Sequence, residues 1–385
     1  MNFPSFTITD YTVGRGSLAV IKDQTDGKIG LVVDSNILKA LDLERVLFDT
    51  LLKGRDYRIL CDIRQEPTTG LLADPIVATR EYAPQEIIAI GGGSVMDAAK
   101  ALWLFYELPE YDWERAFVPY QIPSFPGKAR LTVIPTTSGT GSETTGCSVV
   151  KNDKNDKCMI LSNEIIPTRA LLDFDLLTSL PGKVVAFSGT DALAHALEAS
   201  VSSLSSTLVS RMGLQAAVTL IRELPRSFRG DQGAREKVHI AATMAGAAIG
   251  NSITGMAHGM DFAGGDFHLP HGMLTGMLLP YTMRYLIPQP FYCELADQLG
   301  ILDGDDDSKQ KTLIGMIWDL YDELEMPKTL GEAGVPEDAY LEKIPSYVER
   351  AKKDANILCC PKQPGEEELT ALFRQFYYGL KDGEL

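Results

Sequence analysis

The segment EIIAIGGGSVMD (residues 86–97) decides the fold. Glu86–Ile90 is almost continuously apolar, which suits a strand buried on both faces. Gly91-Gly92-Gly93 ends it abruptly, and a helical pattern runs on from Ser94 to Tyr106. Glycines in such a turn let main-chain N–H groups approach a phosphate, and the helix start adds partial positive charge. The spacing is not GxGxxG, so a plain strand–helix turn capped by Ser94 is the competing reading.

Working outward, Lys28–Val33 (KIGLVV) and Tyr57–Cys61 read as further strands, with Asn36–Leu52 an amphipathic helix between them. Downstream, Leu131–Ile134 is a strand that ends at Pro135. Strands separated by helices predict βαβ units and a Rossmann-like parallel sheet. A second polar loop, Thr136–Glu143 (TTSGTGSE), follows the last of these strands. Ligands of open parallel sheets sit at the carboxyl ends of strands, where both loops should lie. Asp34-Ser35 follows the first strand. Asp34 facing a ribose favours NAD, because a carboxylate repels a 2′-phosphate, whereas Ser35 facing it leaves room for NADP. Either residue alternatively caps the next helix.

Beyond Pro181-Gly182 the pattern becomes helical: 184–202, 208–228, 236–251, 271–286, 309–324, 337–355 and 366–378. The expected organisation is an α/β domain over 1–182 and an all-α domain over 183–385. Asp303–Lys309 and Pro361–Glu368 read as solvated loops.

The chain has 385 residues, enough for about two domains at roughly 100–200 residues each. With 45% hydrophobic and 23% charged residues it has the composition of a globular protein rather than a disordered one. The net charge, 36 − 52 = −16, argues against nucleic acid as a partner. No run approaches about 18 uncharged apolar residues, so no membrane-spanning helix is expected. The six cysteines have no disulfide-framework spacing, and Met1–Asp10 lacks the features of a secretion signal. Both point to a cytoplasmic protein.

There are five histidines. Asp191 and His195 stand at i and i+4 on a predicted helix, on one face and close enough to share an ion. His258 and His271 lie 13 residues apart around a glycine-rich turn. One carboxylate and three imidazoles suit Fe(II) or Zn(II) better than Mg(II) or Ca(II). His239 reads as a structural residue of a helix, and each of the others alone is more often structural than a ligand.

Five segments together resemble the iron-containing (group III) alcohol dehydrogenase family: GGGSVMDAAKAL (91–102), IPTTSGTGSE (134–143), GTDALAHALEA (189–199), MAHGM (256–260) and LPHGM (269–273). The resemblance implies a dehydroquinate synthase-like architecture in which the domain over 1–182 is dinucleotide-binding, an NAD(P) cofactor, and Fe(2+) or Zn(2+) held by Asp191, His195, His258 and His271. It places cofactor contacts on Gly92, Gly93, Ser94, Asp97, Thr136, Thr137, Thr140, Lys157 and Leu176. The implied reaction is hydride transfer between nicotinamide C4 and a primary alcohol or aldehyde, and the implied assembly is a homodimer or larger homo-oligomer.

The chain also departs from the family. Relatives often carry a histidine four residues after the third ligand, where this chain has Phe262. The stretch from His258 to His271 looks one residue shorter, and Glu66-Pro67-Thr68 stands where relatives often read Asn-Pro-Thr. His268 is the candidate substitute in proton transfer, and Phe262 and Phe267 are candidate substrate contacts or core filler. The competing functions are a glycerol dehydrogenase-like polyol dehydrogenase, a dehydroquinate synthase-like lyase and a non-catalytic structural relative.

Overall fold

The structure, a computed structural model, describes residues 6–23, 27–154 and 156–380. Met1–Ser5, part of the segment read above for a secretion signal, lie outside them. The chain divides into two compact units: residues up to 179, less Ser138–Thr140, and those three residues together with Leu180 onward.

Among the described residues, the first unit has eight strands: β1 (Asp10–Val13), β2 (Ile29–Val33), β3 (Tyr57–Asp62), β4 (Glu86–Gly91), β5 (Arg130–Pro135), β6 (Cys147–Lys151), β7 (Lys157–Leu161) and β8 (Arg169–Leu172). Six form a parallel sheet in the order β1-β8-β5-β4-β2-β3, while β6 and β7 form an antiparallel pair. Every residue of β2 and β4 is buried, which is why their sequences show no alternation. From β2 the chain steps outward to β3, then returns past β2 to β4 and continues the other way. The carboxyl ends of β2 and β4 therefore flank the topological switch point, where a ligand crevice is expected.

The region read as one helix, 36–52, is instead Ser35–Ala40, Leu43–Val46 and a π-helical turn Leu47–Leu51. Asp42, with φ 51°, breaks it, since a left-handed residue cannot continue a right-handed helix.

The second unit is helical around one hydrophobic core, with Gly182–Val201, Thr207–Phe228, Gln232–Gly250 and His271–Leu286 as its principal helices. Helix 271–286 approaches helix 182–201 along two glycines. A Cβ on Gly272 would lie 2.4 Å from the Phe187 carbonyl oxygen, and one on Gly276 would lie 2.5 Å from Thr190 Oγ1. Two expectations fail at helix ends. Asp305 caps a helix over Asp306–Glu323 by accepting the Ser308 N–H, so 306–309 is not loop. The helix from Glu337 stops at Ala351, and a separate turn, Ala355–Leu358, is capped by Asp354.

Candidate metal centre and nucleotide-binding loops

Three segments of the helical unit bring four donors together. Helix 182–201 carries Asp191 and His195, the short helix Met256–Gly259 carries His258, and His271 opens helix 271–286. Asp191 Oδ1 lies 3.5 Å from His258 Nε2, 3.8 Å from His271 Nε2 and 3.9 Å from His195 Nε2. Ligands at about 2.1 Å from a tetrahedral ion sit about 3.4 Å apart, so the arrangement is near the size an ion requires. Asp191, His195 and His258 are the tightest group, with donor atoms within 4.8 Å of one another, and His271 joins them through Asp191. Among the described residues, the buried His258 Nε2 makes no hydrogen bond shorter than its 3.5 Å approach to Asp191, as suits an atom kept for a metal.

The surrounding side chains orient these donors. Thr275 Oγ1 donates to Asp191 Oδ1 at 2.7 Å. Glu198, one turn beyond His195, lies 2.6 Å from His258 Nδ1 and also accepts the Ala257 N–H at 2.5 Å. Asp261 Oδ2 lies 2.7 Å from His271 Nδ1. These are carboxylate–histidine pairs of the kind that turn the opposite ring nitrogen toward a metal. The sequence reading missed Glu198 and Asp261. Glu198 had a signal, standing seven residues after Asp191 and three after His195 on the same helix face.

Burial alone would raise the Asp191 carboxyl, but the imidazoles of His195, His271 and His258 hold it well below the usual carboxylate range. Burial pushes the His195 imidazole down to about 4. Burial also opposes charge on His258, yet the Glu198 and Asp191 carboxylates outweigh it and push that imidazole up to about 10.

In the first unit the residues assigned to the cofactor cluster at strand ends. Asp34 follows β2, Gly92, Gly93 and Ser94 follow β4, Thr136 and Thr137 follow β5, and Leu176 follows β8. Among the described residues, Thr136 Oγ1 is buried without a hydrogen-bond partner, which suits a ligand that supplies one. Asp34 Oδ1 accepts the Asn36 and Ile37 N–H groups as a helix cap, and the Ser35 N–H donates to Asp62. Leu176 is buried in the core of this unit.

Asp97 braces the turn rather than standing open: it accepts the Ser142 hydroxyl at 2.8 Å and the Val149 N–H at 3.1 Å. Fully buried Lys100, one turn on, donates to Ser142, Thr145 and the Cys147 carbonyl. Lys157 Nζ lies 3.9 Å from Glu66, which also pairs with Lys151, so the Glu66 departure engages a lysine among the implied cofactor contacts.

Thr140 belongs with the helical unit, as do Ser138 and Gly139. Ser138 Oγ lies 2.9 Å from Nδ1 of the fully buried His239. A Cβ on Gly139 would lie 2.6 Å from the Ser188 carbonyl oxygen. His239 is thus structural, and its partner is the second polar loop.

His268 is exposed, with φ 55°. Phe262 packs against Tyr347 and Phe373 with the Arg350 guanidinium over its ring, and Phe267 packs against Tyr340. Of the two readings of these rings, core filler is the one the contacts favour.

A parallel sheet with glycine-rich and polar loops at its strand ends, carried in one chain with a helical unit that holds an Asp/His₃ donor set, has the make-up of a metal-dependent oxidoreductase. Comparison with known proteins gives the family. Residues 9–174 match the iron-containing alcohol dehydrogenase model, and residues 185–377 match the C-terminal model of the Fe-containing alcohol dehydrogenase family. The chain is 32% identical over 377 residues to an NADPH-dependent butanol dehydrogenase of Clostridium saccharobutylicum, covering 97% of each. It is 34% identical over 389 residues to an alcohol dehydrogenase of Thermococcus barophilus, covering 96% of this chain and 98% of the relative. The structure of an iron-containing alcohol dehydrogenase from Thermococcus thioreducens superimposes with a TM-score of 0.89 at 31% identity, covering 98% of this chain and all of that one. The chain belongs to the iron-containing alcohol dehydrogenase family. It is an alcohol dehydrogenase that works with NAD(P) and an iron ion. Among the described residues, no helix is long and apolar enough to cross a membrane.

Proposed function

We propose that this alcohol dehydrogenase exchanges hydride between nicotinamide C4 and a small, uncharged primary alcohol or aldehyde whose oxygen faces the four-donor set. The observation that carries the reading is the convergence of three imidazole Nε2 atoms within 3.9 Å of Asp191 Oδ1. Asp191, His195, His258 and His271 would hold the ion, which supplies Lewis acidity toward that oxygen when bound.

The protein's own part is positioning. Thr275 fixes the Asp191 carboxylate, while Glu198 and Asp261 fix two imidazoles with Nε2 inward. The turn after β4 and the loop after β5, braced by Asp97 and Lys100, would hold the cofactor, with Asp34 and Lys157 toward its riboses. Glu198 and Asp261 form a carboxylate shell beside the imidazole donors. That shell repels anionic substrates and leaves neutral ones. His268, exposed on the turn before His271, is the candidate proton carrier to solvent. The six cysteines are free thiols, in keeping with a cytoplasmic enzyme, and a homo-oligomer is part of the same proposal.

The test is metal analysis of the purified protein, then an anaerobic panel of neutral and carboxylated aldehydes with NADH and NADPH in parallel. Neutral aldehydes should be reduced and their carboxylated analogues should not. His271→Ala should lose metal and activity together while still binding the cofactor. Full turnover by a verified metal-free His271→Ala protein would overturn the reading.

A further inference from the structure

The three imidazoles at the donor set are not equally protected. The side chains of His195 and His258 are 5% and 9% exposed, whereas that of His271 is 40% exposed. A ligand on the solvent side is the one through which an ion leaves, because its ring can rotate outward without displacing core atoms. A short contact that opposes that rotation is His271 Nδ1 to Asp261 Oδ2 at 2.7 Å.

Asp261 is itself mostly buried, with a side chain 17% exposed, and sits three residues after His258 in the turn before the helix Phe262–Asp266. It does not serve its neighbour His258, whose Nδ1 is taken by Glu198. It reaches forward ten residues instead, tying the segment that carries one donor to the helix that carries another. The turn backing it is tight: the Gly264 N–H donates to the Asp261 carbonyl at 3.0 Å, and the Phe262 ring that follows is held under Arg350.

We propose that Asp261 is a positioning residue that latches His271 and so sets how long a bound divalent ion is retained. The proposal rests on the four-donor reading above. An acceptor on the outer nitrogen of a metal-ligating histidine fixes ring orientation and raises ligand basicity, and its loss typically costs about 10–100-fold in metal affinity. Here the effect falls mainly on release, since the latched ligand is the exposed one.

The test follows release of Zn(II) from the loaded full-length protein into excess chromogenic chelator. Asp261→Ala should release zinc about 10–100-fold faster than the parent. Asp261→Asn keeps an acceptor oxygen in the same shape, and should fall between the two even if the alanine variant folds poorly. Asp266→Asn removes the same charge from the adjacent helix, where the carboxylate meets Tyr347 and Lys343 rather than His271, and should release at the parental rate. Release from both Asp261 variants within twofold of the parent overturns the latch, as does equal acceleration by Asp266→Asn. A parent protein that takes up no zinc overturns the four-donor reading instead, so the two failures are distinct.

Discussion

His239 shows how a single buried residue can be read from its surroundings. Its imidazole is fully buried beside Ser138, and burial pushes it down to about 4. In the unfolded chain it should titrate near the ordinary value of about 6.5. Between those values the unfolded state binds the extra proton, so stability is fully present above about 6.5 and is lost as pH falls toward about 4. At about 1.4 kcal/mol per pH unit the loss is on the order of 3 kcal/mol. Urea unfolding at a series of pH values should therefore show a slope in His239→Asn smaller by about one proton over that window. The slope carries the test, because asparagine also changes the packing. An unchanged slope would mean that the imidazole is charged in the folded protein. Sequence reasoning identified His239 as structural but not its partner, since Ser138 lies 101 residues away and only the tertiary fold joins them. Asp261 was invisible for a related reason: nothing in its spacing links it to His271, whereas Asp191 and His195 share a helical period.

Elements whose pattern is local were legible, and those that depend on one backbone angle were not. Helix 271–286 and the buried runs of β2 and β4 follow from periodicity and continuous apolarity. The break at Asp42 does not, because aspartate at the end of an apolar run is compatible with a continuing helix. The glycines of helix 271–286 belong to this scale as well. Gly272 and Gly276 form a groove in which helix 182–201 lies close enough for Thr190 Oγ1 to reach within 3.2 Å of the Gly272 carbonyl oxygen. Gly272→Ala would place a methyl 2.4 Å from the Phe187 carbonyl oxygen and 3.0 Å from Asp191 Cβ. Backbone cannot yield as a side-chain tip can, so the two helices must separate at the point where their donors meet. Overpacking of this kind costs about 1–3 kcal/mol. The variant should show that loss in urea unfolding together with weaker zinc binding. A variant of parental stability and zinc affinity would show that the helices move apart there without cost.

At the scale of the whole molecule, an ion at the donor set would join segments centred near residues 191, 258 and 271 by coordination, in addition to hydrogen bonds such as Thr275 to Asp191 and His258 to Glu198. An ion that binds only the folded state stabilises it by about 4 kcal/mol when free ion is at about a thousand times its Kd. For a unit of some 200 residues that corresponds to roughly 8–16 °C in Tm. Chelation should lower the melting temperature by about that amount, and added Zn(II) should restore it. The position of the loss is as informative as its size. Amide hydrogen exchange should accelerate in helices 182–201 and 271–286, which carry Asp191, His195 and His271, while β2, β4 and β5 keep their protection because their core contains none of the four. Uniform acceleration through both units would mean that the ion supports the chain globally. No acceleration would mean that the hydrophobic core alone holds Asp191 among three imidazoles, against the charge it must then bury.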